Sequence, residues 1–592
     1  MAFERKNVPE NRKWDLSDIF TSEAEWESTY DRVASMIDFA AYEGKLGDAA
    51  TLLDCMTKLN TTVKDLSLLA AYAHLLFDMD TRNADAMALM SRVDVLDMKL
   101  SSATAFMTPE LTALPEETLR GFIADERFRE FDYSLSLILK RKPHVLSKET
   151  EAVLSLGGRV LGSFYNIFSM MDNADFPAPP IKVNGKKEKL THGLYGVLLH
   201  SPDRNLRRTA FRAYYKAYID RINTLTATYV GNVDKNVFIS KARKYNGCLE
   251  MALKNEDVDK KVYENLISCV HAGLPLLHRY YRDRKKIAGL STQHMYDVYA
   301  PIVEDAEIKV DYEEAFRMVK EGLRPLGEEY AALLDKAHDE RWIDVEETEG
   351  KRNGAYSMSV YGIKHPFVLL NYQRTTGDVF TIAHELGHAM HSYFSDKTQP
   401  QEKADYKIFV AEVASTVNEI LLLRHLLRTT EDVALKKYLL SYYMDTLKGT
   451  LFRQTQFAEF EYIAHEKAEK GEPLTKDVMN AIYLDLNKKY YGRSVVSDPE
   501  IAYEWARIPH FYRSFYVYKY ATGIISAISI VDRIEKEGEP AVRDYFKFLS
   551  SGGSDSPVAL LRLAGVDLMK KDAFRAGMQS FKEALLEFEA LN

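Results

Sequence analysis

His384-Glu385-Leu386-Gly387-His388, preceded by Thr375-Thr376-Gly377-Asp378-Val379-Phe380-Thr381-Ile382-Ala383, is the stretch on which the reading of this chain turns. Two histidines four apart on a helix lie about 40° apart around its axis and one turn apart along it, so one metal ion can bridge them. Glu385 is rotated about 100° from His384, off that bridging position but within reach of a water beside the ion, where a general base belongs. The preceding residues predict the helix itself. Thr375 suits an N-cap, Asp378 suits the positive end of the helix dipole, and Val379, Phe380, Ile382, Ala383, Leu386, Ala389 and Met390 make the helix largely buried. Three fixed letters in five also arise by chance in a chain this long, on the order of a few per cent of the time. Buried histidines nevertheless need polar partners, and a cation supplies one.

A catalytic zinc takes three protein ligands and keeps one position open, so a third ligand is expected elsewhere. Glu412 is the best candidate. It lies in Ile408-Phe409-Val410-Ala411-Glu412-Val413-Ala414-Ser415-Thr416-Val417-Asn418-Glu419-Ile420-Leu421-Leu422-Leu423, a helical run apolar nearly all round. A carboxylate in such a run costs several kcal/mol unless it meets a cation or several donors, as about 3–5 kcal/mol lost on breaking buried pairs attests. Glu419, two turns on along the same face, poses the same problem, so one of the pair would ligate and the other orient a histidine. The competing reading pairs Glu412 with an arginine such as Arg424. His391 reads as a polar group beside the site rather than a fourth ligand, which would close it.

These residues resemble the M3 metallopeptidases, and within them the oligoendopeptidase F branch. The likeness rests on His384-Glu385-Leu386-Gly387-His388-Ala389-Met390-His391-Ser392, then Glu412-Val413-Ala414-Ser415-Thr416 with Asn418-Glu419. It extends to Trp14-Asp15-Leu16-Ser17, to Ile508-Pro509-His510-Phe511-Tyr512 through Tyr516-Val517-Tyr518-Lys519-Tyr520-Ala521-Thr522-Gly523, and to Ser551-Gly552-Gly553-Ser554. The resemblance implies a mainly α, zincin-like metallopeptidase with helical lobes around a deep substrate channel and a small β element near the metal. It implies one zinc ion per chain on His384, His388 and Glu412, with Glu385 as base. It also implies that His510 and tyrosines of the same segment donate hydrogen bonds to the substrate carbonyl. Tyr512, Tyr516 and Tyr520 are spaced by four and would share one stripe of a helix; Tyr516 and Tyr520 are the preferred donors.

The 592 residues carry a net charge of −9, which argues against a nucleic-acid partner. Three widely spaced cysteines, Cys55, Cys248 and Cys269, suit a reducing compartment, and the first ten residues lack the apolar run of a secretory signal, so cytoplasmic residence is the expectation. The most apolar stretch, Leu66 to Phe77, is shorter than the roughly 20 residues that span a bilayer and reads as a core helix. There is no Gly-x-Ser-x-Gly elbow.

Glycine and proline number 29 and 18, sparse enough for a mostly helical chain. The first strong break is Asp175-Phe176-Pro177-Ala178-Pro179-Pro180, after which Ile181-Lys182-Val183 and Lys187-Glu188-Lys189-Leu190 flank Asn184-Gly185 and predict a hairpin. Residues 1–200 are therefore assigned to an N-terminal helical domain with a hairpin near 181–190, and 201–592 to the catalytic domain. His365-Pro366-Phe367-Val368-Leu369-Leu370-Asn371-Tyr372 reads as a strand, either structural or an edge that pairs with a substrate backbone, and Gly354-Ala355-Tyr356-Ser357 and Tyr361-Gly362 as turn or loop. The expected activity is endopeptidase action on short unstructured peptides. The alternatives are a carboxypeptidase using Arg507 or Arg513 to hold a terminal carboxylate, and a helical peptide-binding scaffold without catalysis.

Overall fold

The computed structural model describes residues 4–303, 306 and 308–591. The chain is helical through most of its length, with a few short strands. It divides into two compact units, each built from three segments: Met1–Val145, Glu307–Thr429 and Ser526–Asp567 in the first, Leu146–Ala306, Thr430–Ile525 and Leu568–Asn592 in the second. The expected boundary near residue 200 treats the domains as consecutive stretches, whereas these units interleave. The proline run and the hairpin that suggested it lie within the second unit, where strand Pro180–Val183 packs on helix Arg204–Ile219. Among the described residues no helix is long and apolar enough to cross a membrane.

In the first unit, helices Glu23–Met36, Ala49–Met79 and Ala84–Thr104 start at Ser22, Asp48 and Asn83, whose side chains accept backbone N–H groups of the first turn. They enclose Trp26, Leu52, Leu69, Leu96 and Phe128, all without solvent exposure. The apolar run Leu66 to Phe77 lies inside the second of these helices, as expected. The small sheet has Phe367–Leu369 at its centre, parallel to Ile343–Asp344 and antiparallel to Tyr356–Met358. The reading of 365–372 as an edge is thus corrected. Pro366 lies just outside the strand, and both flanks of Phe367–Leu369 are paired. The edges are Ile343–Asp344 and Tyr356–Met358, the latter reading as loop in the sequence because Gly354 and Gly362 bracket it, both at positive φ. Trp14 meets Phe367 edge-to-face at 6.0 Å, so the N-terminal segment closes the far side of the sheet.

One buried ion pair anchors this sheet. Asp344 is 1% exposed and accepts from Lys351 Nζ at 2.7 Å and from Arg5 Nη2 at 2.6 Å. Burial opposes its charge, but the two cations outweigh burial and hold its carboxyl below the usual range.

The second unit holds the predicted hairpin, Pro180–Val183 against Lys186–Lys189 with Asn184-Gly185 at the turn. Asp203 caps helix Arg204–Ile219, its side chain accepting from the N–H groups of Asn205 and Leu206. Its core is organised around Glu504, 2% exposed, which accepts from Arg453, Arg507, Tyr215 and Tyr483. Burial would raise this carboxyl, yet the two guanidiniums bring it down to about 2. Cys55, Cys248 and Cys269 are all free and buried.

Asp344→Ala would strand the Lys351 ammonium in a dry site. It is expected to cost about 3–5 kcal/mol, read as a lower urea midpoint, whereas removal of an exposed partner such as Glu349 should leave the midpoint within error.

Candidate metal centre

The motif residues stand on helix Thr376–Thr398, which begins as predicted and more tightly: Thr375 Oγ1 accepts the Asp378 N–H, and Asp378 Oδ2 accepts the Thr375 N–H at 2.8 Å, a reciprocal capping box. The facing helix, Ile408–Thr429, carries Glu412 and Glu419. The two helices touch at backbone level. A Cβ added at Gly387 would lie 2.5 Å from Ser415 Cα and 2.7 Å from the Ala414 carbonyl oxygen, so only glycine fits between the two metal-site histidines' turn and the opposite backbone. Buried Asn418 crosses the seam next to His384: its Nδ2 donates to the Ala383 carbonyl at 3.0 Å, and its Oδ1 accepts from Tyr330 Oη at 3.0 Å.

This contact brings three donor atoms together. His384 Nε2 and His388 Nε2 are 3.1 Å apart, and Glu412 Oε2 lies 3.3 Å from the first and 3.5 Å from the second. Ligands held tetrahedrally at 2.0–2.1 Å from zinc stand about 3.3–3.4 Å from one another, and the three separations bracket that value. His384 Nδ1 donates to Glu419 Oε1 at 2.5 Å, which leaves the Nε2 lone pair free to face a cation. Ser415 Oγ steadies Glu412 with a hydrogen bond to Oε2 at 3.3 Å.

The electrostatics match a positive charge at this point. Burial alone would depress the His384 ring, but its bonds to Glu412 and Glu419 outweigh it and push it up to about 10. Glu412 is held well below the usual carboxylate range by hydrogen bonds to the two imidazoles. Two imidazole nitrogens and one carboxylate oxygen that converge at these separations are a donor set zinc takes, so the residues fit zinc. Glu385 is 6% exposed, and burial raises its carboxyl against the pull of the neighbouring histidines.

Of the two glutamates, Glu412 stands in the cluster and Glu419 behind His384. Arg424 does not reach Glu412; it pairs with Asp532 at 2.6 Å and Glu535 at 2.5 Å. His391 stays outside the cluster, fully buried and stacked on Tyr406 at 3.7 Å, its ring pushed down to about 3 by burial. Ser415 and Asn418 belong to the quoted motif but had no separate reading, and nothing in the sequence near Tyr330 marks its part in the seam.

In the second unit the aromatic segment departs from the expected stripe. It is not one helix: Pro509–Tyr512 is a short 3-10 turn, Phe515 sits at φ 58°, and the following helix starts only at Tyr518. Tyr512 turns into the core and stacks on Phe168 at 4.5 Å. His510, Tyr516 and Tyr520 cluster instead, with ring centres 5.5–6.1 Å apart and Tyr520 Oη 3.4 Å from His510 Nε2. Arg507 is committed to Glu504, which removes it as a terminal-carboxylate holder, while Arg513 lies 4.3 Å over the Tyr516 ring.

Gly387→Ala would force the helix pair apart by the width of a methyl group. A cost of about 1–3 kcal/mol is expected. Part of that cost should appear as zinc affinity reduced by about tenfold in a chelator competition.

Residues 197–580 match the sequence model of peptidase family M3, and residues 110–177 match that of oligopeptidase F. The chain is 43% identical to oligopeptidase PepF of Bacillus subtilis over 99% of its own length and 88% of that protein's. It is 37% identical to the oligoendopeptidase F homolog of Lactococcus lactis subsp. lactis over 100% of this chain and 99% of the relative. Among solved structures, oligoendopeptidase-F from Enterococcus faecium superimposes with a TM-score of 0.74 at 33% identity, covering 96% of this chain and 99% of its own. With its helical, zincin-like fold and its paired histidines and glutamate, the chain belongs to peptidase family M3 and is a metalloendopeptidase of the oligopeptidase F group.

Proposed function

We propose that this metalloendopeptidase cleaves internal bonds of short, unstructured peptides at one zinc ion held by His384, His388 and Glu412, with Glu385 carrying the proton. The observation that supports this most strongly is the triangle of two imidazole nitrogens and one carboxylate oxygen with edges of 3.1, 3.3 and 3.5 Å, one residue from a buried carboxylate. Bound zinc supplies Lewis acidity, making water a nucleophile near neutral pH and polarising the scissile carbonyl.

The chain's residues do the rest. Glu385 takes a proton from the attacking water on its carboxylate and delivers it to the leaving nitrogen, a service worth about 10²- to 10⁴-fold. Its dry surroundings favour that exchange, because burial brings the carboxyl's proton affinity closer to that of the groups it serves. Glu419 fixes the His384 ring, and Ser415 fixes the Glu412 carboxylate. Tyr356–Met358, the sheet edge packed beside the motif helix, has backbone groups suited to an extended substrate. For His510, Tyr516 and Tyr520 we retain the role implied by the family resemblance, donors to the carbonyl oxygen as its charge grows. Their mutual clustering, and the withdrawal of Tyr512 into the core, favour these three over Tyr512. Short peptides as substrates follow the relatives' designation as oligopeptidases.

Glu385→Gln separates metal binding from chemistry. It is expected to keep about one zinc per chain while turnover of an internally quenched peptide falls by about 10²-fold or more. Near-normal turnover with zinc bound would remove Glu385 from the reaction.

A further inference from the structure

The second unit contains a cleft of about 780 Å³ whose lining is strongly cationic. It lies where helix Lys260–Ile287 meets the C-terminal end of helix Lys476–Tyr491 and the turn that follows. Arg279, Arg282, Lys488, Lys489 and Arg493 line it together with His278, and no carboxylate does. In a chain of net charge −9, such a concentration of one sign is unusual.

These cations differ in how far they are already committed. Arg279 is paired with Glu589, and Lys489 with Glu459 at 2.9 Å. Arg282 comes no closer than 3.8 Å to Asp283, and Lys488 only 4.0 Å to Asp485. Arg493 has no ion pair among the described residues. Complementing the negative end of helix Lys476–Tyr491 accounts for Lys488 and Lys489. It does not account for Arg493, which follows the helix, or for Arg282 on another element.

The turn that carries Arg493 is held firmly. Gly492 sits at φ 67°, and a Cβ there would lie 2.7 Å from the His278 ring. His278 Nε2 in turn donates to the Lys489 carbonyl at 2.9 Å, and Val495 pairs with Gln293 in a two-stranded ladder. Arg493 is thus carried on a braced backbone, and Ser494 also lines the cleft, which lowers the ordering cost of binding.

We propose that this cleft binds a compact oligophosphate, two or three linked phosphate groups either free or borne on a nucleoside. Arg493, with no ion pair among the described residues, and Arg282, with only a long one, call for an anionic ligand, and guanidinium forks suit phosphate oxygens in pairs. The volume fits a nucleotide-sized body.

Calorimetric titration of the full-length chain at low ionic strength tests the site, with tripolyphosphate, ATP and orthophosphate as probes. Tripolyphosphate is expected to bind once per chain with a Kd below about 1 mM, and more tightly than orthophosphate. Replacing exposed Arg282 and Arg493 together by serine should weaken it at least about tenfold and leave peptide hydrolysis without phosphate unchanged. The His388→Ala chain should bind it as well as the wild type, because the phosphates are not held by the metal cluster. ATP binding as tightly as tripolyphosphate identifies the nucleoside-borne form; tripolyphosphate alone binding identifies the free one. The proposal is overturned by absence of saturable binding, by unchanged affinity in the double variant, by loss of binding in His388→Ala, or by an oligoglutamate peptide that binds as tightly as tripolyphosphate.

Discussion

The contact on which the rest depends is the touching of two helix backbones at Gly387 and Ser415. Side chains of ordinary size would separate those helices by several ångströms, and Glu412 would no longer reach the imidazoles. With glycine at the crossing, the side chains of His384, His388 and Glu412 meet at distances set by backbone packing rather than by flexible side-chain reach. Asn418 ties the same seam by satisfying the Ala383 carbonyl and is itself satisfied by Tyr330. The first unit therefore delivers its donor atoms on rigid elements, which is what a site accurate to a few tenths of an ångström needs.

Charge is managed by the same logic in both units. Asp344 and Glu504 are buried carboxylates fully surrounded by cations and donors of their own chain, and each is structural. The His384, His388 and Glu412 cluster differs because two imidazole nitrogens and a carboxylate oxygen converge within 3.5 Å with no lysine or arginine paired to them among the described residues. The proposed phosphate cleft differs in the opposite sense, with Arg493 unpaired among the described residues and Arg282 no closer than 3.8 Å to its carboxylate. Incomplete compensation within the chain distinguishes a place built for a ligand from one built for stability.

Much of the centre was legible in the sequence because it is local. A spacing of four puts His384 and His388 on one helical face whatever surrounds them, and Thr375 with Asp378 marks where that helix begins. Glu412 and Glu419 were recognisable as carboxylates in an apolar helix, but their seven-residue separation gives them the same face, and only the crossing of the two helices determines which meets Nε2 and which Nδ1. Strand order was not legible for a related reason. Phe367–Leu369 is as apolar as many edge strands, and its central place depends on partners at 343 and 356 with no local mark of pairing. The tyrosine stripe failed where Phe515 leaves helical φ, a break set by tertiary contacts: its N–H is held by the buried carboxylate of Glu461, 54 residues earlier. The two compact units each return to the chain three times, an arrangement that no local feature of the sequence marks.

The central claim, that one cation sits among two imidazoles and one carboxylate, is tested most directly by X-ray absorption at the zinc edge on the purified chain. The account expects about one zinc per chain with nitrogen and oxygen neighbours at roughly 2.0–2.1 Å, and a spectrum that loses its imidazole scattering when His384 and His388 are replaced by alanine. Sulfur neighbours at roughly 2.3 Å, or full zinc occupancy with an unaltered spectrum in that double variant, would contradict it.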